Sequence, residues 1–305
     1  MGRIADALKK AQRERNEKLR LGLAQNSPAG AVAIDMPTPV ADLDMSGGAD
    51  RLGTQGLPIR PGATLWSSSR TPVAMDPMPD WNVDPAVVAV HDRTSSIVEQ
   101  YRAIRTWLLS HTALGEHNCV AITSSVALEG KTVTTANLAV VLSEVRHMNV
   151  LVVDADFRRG SLAQQFRTEN SPGLADVLAG KIQLSEAIAQ TPISNLSFLP
   201  ASKCFGLNPT ELFNSKAASL VFDEIRERYH YVLVDTPPVQ SFSDVGVIGA
   251  LCTGIVMVVR MRKTASTLVR QSVQWLQANN LNVIGCIAAA ARSKPTRLVY
   301  QYDKG

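Results

Sequence analysis

From about residue 92 onward, short apolar runs alternate with longer stretches of helical periodicity. The runs at 119–124, 149–154, 195–199, 231–235, 254–260 and 282–288 have strand length and are rich in Val, Ile and Leu. Between them, 131–147, 215–229 and 265–279 repeat apolar positions at helical spacing. Strands that are apolar on both faces and separated by helices predict right-handed crossovers. The fold class is therefore α/β, a mostly parallel sheet with helices on both faces. Ligands of such sheets bind beyond the carboxyl ends of the strands.

The first ninety residues break this pattern. Residues 1–23 read as a basic amphipathic helix, with Ile4, Leu8 and Ala11 on one face and Lys9, Lys10, Arg13, Arg15, Lys18 and Arg20 around it. It is either a solvated arm or a contact for a partner or an anionic membrane surface. Residues 24–90 hold nine of the sixteen prolines, which predicts a disordered linker with too little apolar surface to offset its ordering entropy. Residues 91–296 form the folded domain, and 297–305 a flexible tail carrying Tyr300 and Tyr302.

Composition narrows the partners. The net charge of +4 comes with no dense basic run interleaved with aromatics, so no nucleic acid is expected. Cys119, Cys204, Cys252 and Cys286 form no CxxC, and reduced core thiols are expected. No apolar run approaches the ~20 residues of a membrane span, and the N-terminus has no signal-peptide core. A cytoplasmic location is expected.

Candidate chemistry gathers at three strand ends. SSVALEGKT follows the first strand and opens a helix, the context in which a loop cradles phosphate, although Ser125 stands where the full pattern has glycine. Backbone N–H groups of the loop (Ser125, Val126, Ala127, Leu128, Glu129, Gly130, Lys131, Thr132, Val133) and the helix N-terminus would hold phosphates. Lys131 would reach the β- and γ-phosphates and Thr132 would ligate Mg²⁺. VLVVDADFRRG ends in Asp154 and Asp156, followed by Arg158, and YVLVDTPPV ends in Asp235. Asp235 or Asp154 could complete the magnesium shell. One such acid alone is commonly a turn residue; two beside a GKT loop suit ATP and Mg²⁺.

VLVVDADFRRG and VLVDTPPV resemble the second and third nucleotide motifs of the bacterial tyrosine kinases. The opening, MGRIADALKKAQRER, looks like the soluble autokinases of exopolysaccharide systems. The resemblance covers roughly residues 92–302 and the start of the chain. It implies a P-loop NTPase fold of deviant Walker type and an ATP-dependent protein-tyrosine autokinase regulating exopolysaccharide or capsule biosynthesis and export. Asp154 would then be a base or metal ligand, Asp156 would support Mg²⁺, and Arg158 would contact phosphate or tie the loop. Tyr300 and Tyr302 would be the autophosphorylation sites.

SIVEQYRAIRTWL matches the family's ExxRxxR, so Glu99, Arg102 and Arg105 imply self-association into a ring or other homo-oligomer; read alone, they could simply stabilise their own helix. The resemblance further implies a transmembrane polysaccharide chain-length regulator as activator, and recruitment to the inner face of the plasma membrane. Two departures stand out: Ala289 replaces a common asparagine, and the tyrosine tail is sparse. They keep open an alternative, a nucleotide-binding scaffold or partition-type switch ATPase. Val126, where partition ATPases carry an extra lysine, favours the kinase.

Overall fold

A computed structural model describes residues 79–112, 118–170, 172–204 and 206–290. The expected helix at 1–23, residues 24–78 of the expected linker, and the tail with Tyr300 and Tyr302 lie outside the described residues. Helices α1 (Val88–His91) and α2 (Ser96–His111) precede β1 (Asn118–Ser124) and α3 (Lys131–Ser143). Then come β2 (Val150–Asp154), α4 (Ser161–Phe166), α5 (Leu174–Leu178), α6 (Leu184–Ala187), β3 (Ala189–Gln190) and β4 (Leu196–Leu199). The chain continues through α7 (Pro209–Phe213), α8 (Lys216–Arg228), β5 (Tyr231–Asp235) and α9 (Asp244–Ala250) to β6 (Gly254–Arg260), α10 (Ser266–Ala278) and β7 (Val283–Ala289).

The strands form one seven-stranded sheet in the order β3-β4-β2-β5-β1-β6-β7. Every pairing is parallel except the short β3–β4 contact. β2 and β5 are buried along their whole length, as a sheet covered on both faces requires. Leu151, Val153, Val232 and Val234 pack in one core cluster with Phe222 and Ile225 of α8. The alternate residues Val150, Val152, Tyr231 and Leu233 face the other way. On the sheet, α3 is enclosed almost all round, with an unbroken buried run from Thr134 to Leu142. β1 lies at the centre, flanked by β5 and β6, so the loop after it opens at the middle of the sheet's carboxyl rim.

All six expected strands form. β3 has no counterpart in the sequence reading, because two residues are too short for any periodicity. Helix α3 stops at Ser143 rather than 147: the chain turns at Glu144, and His147 adopts a left-handed φ of 66°.

The linker boundary needs correction. Trp81 stacks on Phe166 at 5.1 Å, and Val83, Val87 and Ala89 are buried. The buried Asn137 side chain of α3 accepts from the Ala89 N–H at 3.0 Å and donates to the Ala86 carbonyl at 2.9 Å. Residues 79–90 therefore pack on the domain: WNVDPAVVAV carries enough apolar surface to hold itself down, despite its proline-rich setting. All four cysteines are free, but only Cys119 is fully buried, and Cys286 is exposed on β7.

The ExxRxxR arginines are drawn inward. Arg102 grips Glu144 through Nε at 2.9 Å and Nη2 at 2.7 Å, and Arg105 reaches Glu144 at 2.9 Å and the Val141 carbonyl at 2.6 Å. Arg93 adds a third contact to the same carboxylate at 3.2 Å. Only Glu99 is well exposed, and it pairs with Arg102 within its own helix. Bidentate guanidinium–carboxylate geometry at a site partly shielded from water makes this staple between α2 and α3 stronger than an ordinary surface pair. The arginines thus serve first to hold their helix on the domain. Glu144→Ala would leave three guanidinium groups short of their acceptor. It should destabilise the protein by about 1–3 kcal/mol, measured by urea unfolding; an unchanged midpoint would show the staple to be idle.

Candidate active site

The β1–α3 loop turns tightly over the sheet. Gly130 holds a φ of +92°, a conformation that favours glycine, and the exposed Leu128 also lies left-handed at 66°. Glu129 is buried and fixes the loop at both ends. One carboxylate oxygen accepts from the Val126 N–H at 3.0 Å; the other accepts from the Thr264 hydroxyl and, at 3.4 Å, from the Arg260 N–H. Arg260 in turn donates to the Leu128 carbonyl at 3.0 Å. Ser125 is buried beside Met257 and faces the core, its hydroxyl 3.7 Å from the Met257 sulfur.

No acceptor among the described residues takes up the N–H groups of residues 127–133. A row of unpaired donors leading into the N-terminus of a long helix is a nest for an anion. Beneath it opens a cleft of about 560 Å³, lined by Lys131, Thr132, Asp156, Arg159, Ser161 and Arg260, among others. Ala127 through Val133 line it; Ser125 and Val126 do not.

Register places the acids. Asp154 and Asp235 are paired residues of the neighbouring strands β2 and β5, so their side chains leave the sheet side by side. Lys131 Nζ lies 3.2 Å and 3.3 Å from the two Asp235 oxygens and 3.5 Å from Asp156. Thr132 donates its hydroxyl to Asp235 at 2.7 Å. The expected residues Lys131, Thr132, Asp154, Asp156 and Asp235 therefore do converge.

Asp154 and Arg158 stand outside the cleft lining. Asp154 is sealed from solvent and outside the cleft lining; its oxygens accept from the Asp156 N–H at 3.1 Å and the Leu162 N–H at 2.9 Å. It holds the turn that presents Asp156, the carboxylate that does line the cleft. Arg158 takes one of the two roles expected of it, tying the loop. It pairs with the buried Asp244 at 3.0 Å and lies 4.1 Å over the Phe242 ring, tying the turn after β2 to the segment after β5. Sequence spacing could not show this, because Asp244 is 86 residues away. Arg159 and Arg260, which line the cleft, escaped the sequence reading.

Three carboxylates and one ammonium share this buried space. Burial works against the Lys131 charge, but Asp235, Asp156 and Asp154 outweigh it and leave its pKa raised. Burial and the neighbouring Asp235 charge push Asp154 up to about 8, against its two backbone N–H bonds and Lys131. Burial raises Asp235 as well, against Lys131 and Thr132. The site holds more negative than positive charge and keeps a proton to reduce the excess. Among the described residues no cluster of three or more His, Cys, Asp or Glu side chains could itself hold a metal.

With Asp154 raised from an ordinary value near 3.9, the folded protein binds the extra proton between about pH 4 and pH 8. That stabilisation is complete below about pH 4 and is lost as pH rises through 8, by up to about 1.4 kcal/mol per pH unit and proton. Urea unfolding of the ligand-free protein should give lower stability at pH 8 than at pH 5, and Asp154→Asn should flatten the difference. An unchanged slope in that variant would place the proton elsewhere.

An AAA domain model matches residues 119–272, which span this site. The tyrosine-protein kinase YwqD of Bacillus subtilis is 32% identical over 201 residues, covering 66% of this chain and 84% of that protein. The tyrosine-protein kinase wzc of Salmonella typhi is 31% identical over 201 residues, 66% of this chain but 28% of its own length. The chain thus spans about a quarter of the longer curated relatives. In three dimensions it is similar to the kinase domain of Escherichia coli tyrosine kinase ETK, with a TM-score of 0.63 and 29% identity, covering 72% of this chain and 84% of that one. With the phosphate nest, the acid-flanked lysine and the central loop already in place, the chain belongs to the bacterial tyrosine-protein kinases, built on a P-loop domain of the AAA type.

Proposed function

We propose that the chain is an ATP-dependent protein-tyrosine autokinase that serves exopolysaccharide or capsule production. The observation that carries this reading is the set of unpaired N–H groups at 127–133 directly above Lys131, which lies against Asp235 and Asp156. A triphosphate satisfies those donors, and about 560 Å³ accommodates a nucleotide.

Lys131 would exchange its contact with Asp235 for the β- and γ-phosphate oxygens, and Thr132 would offer its hydroxyl oxygen to the cation. Magnesium bound in this cleft would supply charge neutralisation, with Thr132 and one or two of the carboxylates to hold it. Asp235 and Asp156 are the acids placed for that. Asp156 also stands nearest the open cleft, so it takes the role of receiving the incoming tyrosine proton, while Asp154 positions it. A tyrosine near pKa 10 is protonated at neutral pH, so an acceptor there is useful; positioning and charge supply most of the rate.

The finer assignments belong to the same proposal. Tyr300 and Tyr302 are the acceptors, the chain self-associates, and a transmembrane chain-length regulator recruits it to the membrane and raises the population of its competent state. Self-association through this helix would use its outer face, where Glu99 and Ile97 are exposed, because Arg102 and Arg105 are engaged inside the chain.

Mass spectrometry after incubation with Mg-ATP should find phosphate on Tyr300 or Tyr302 in the wild-type protein and on neither in Lys131→Ala. That variant takes the cation away from three buried carboxylates and should cost stability, so circular dichroism checks that it is folded before the labelling is compared. Equal phosphorylation in well-folded Lys131→Ala protein would contradict the assignment of the loop. Full labelling of a Tyr300→Phe, Tyr302→Phe variant would place the acceptor elsewhere.

A further inference from the structure

Three cations line the cleft, Lys131, Arg159 and Arg260, and they are not equivalent. Lys131 faces three carboxylates, and Arg260 is held at the Leu128 carbonyl. Arg159 is exposed, and its guanidinium engages no acid or carbonyl among the described residues. Its backbone, by contrast, is tightly placed. The Arg159 N–H donates to the Asp156 carbonyl at 3.1 Å and to the Asp156 carboxylate at 3.3 Å, the same carboxylate that faces Lys131. The next residue, Gly160, turns left-handed at 57°, and a Cβ there would meet the Asn170 side chain at 2.4 Å. The chain is thus fixed where Arg159 leaves it, and the charge at the end of the side chain is left without a partner.

We propose that Arg159 is a catalytic residue that contacts the γ-phosphoryl group during transfer. This rests on the nucleotide reading of the cleft. Charge balance argues for it. The three acids cancel Lys131 and a divalent cation between them, so the negative charge of the γ-phosphoryl oxygens is left for a further cation to meet. Arg159 is the cleft cation with no other duty, and a planar guanidinium can take two of those oxygens at once. In the transfer itself, the bond between the γ-phosphorus and its bridging oxygen breaks and ADP leaves with that electron pair. The tyrosine oxygen bonds to phosphorus and its proton passes to Asp156. Arg159 exchanges no proton and acts by charge alone. This function could not be read from the RR dipeptide, where the family motif drew attention to Arg158.

The test compares wild-type protein, Arg159→Ala and Arg159→Lys by calorimetric titration with Mg-ADP and with a non-hydrolysable Mg-ATP analogue, and by turnover at saturating Mg-ATP. Arg159→Ala should bind Mg-ADP as the wild type does, showing an intact cleft. It should lose roughly tenfold or more of the preference for the ATP analogue, one lost charge-assisted contact, and turn over about 10³-fold more slowly. Arg159→Lys should recover part of both. Unchanged preference and unchanged turnover in Arg159→Ala would overturn the proposal. So would a variant altered only in KM for an added tyrosine peptide, which would make Arg159 a reader of the acceptor. Wild-type protein that binds neither nucleotide would remove the nucleotide reading itself, and the proposal with it.

Discussion

The contact between the Lys131 ammonium and the Asp235 carboxylate, at 3.2 Å and shielded from water, is the interaction on which the rest of the site depends. It joins the first residue of α3 to the last residue of β5. It also governs the neighbours: Thr132 and Thr135 turn their hydroxyls to the same carboxylate. A buried ion pair of this kind gives little net stability, because desolvation offsets attraction. Its value lies in tension. Asp154 and Asp156 add negative charge that one lysine cannot match, and burial with this crowding raises the Asp154 and Asp235 carboxyls. Parallel topology is what makes the crowding possible, since β1, β2 and β5 end on one rim.

The sequence was most legible where one physical cause acts locally. Short apolar runs of strand length bounded by turn residues fit strands buried on both faces, and all six expected ones form. The GKT loop, Asp154, Asp156 and Asp235 were legible because a strand fixes where its last residue points. Legibility ended where a side chain has a choice of partners. Arg158 and Arg159 are adjacent in the sequence, yet one is taken by Asp244 from a distant segment and the other faces the cleft. Glu129 was expected only to offer its backbone N–H, and the tie of its side chain to Thr264 spans 135 residues. Glu144 carried no motif, yet it gathers Arg93, Arg102 and Arg105. The proline-rich composition likewise obscured the apolar residues Trp81, Val83 and Val87.

Those distant ties give the cleft a frame. Glu129 and Arg260 couple the phosphate loop to the turn after β6. Arg158 couples the turn after β2 to α9 through Asp244. On the far side of α4, Trp81 and the Asp84 N–H hold residues 79–91 against Phe166 and the Gln165 carbonyl, while Ser161 and Gln164 of the same short helix line the cleft. A six-residue helix shared in this way links residues 79–91 to the site itself.

The central claim is that the acid cluster holds a proton that a cation and phosphate displace. Calorimetric titration of the wild-type protein with Mg-ADP near pH 7, in two buffers of different ionisation enthalpy, tests it most directly. The account predicts heats that differ between buffers in the direction of proton release, and a smaller difference in Asp154→Asn. Heats independent of the buffer, with binding intact, would contradict it.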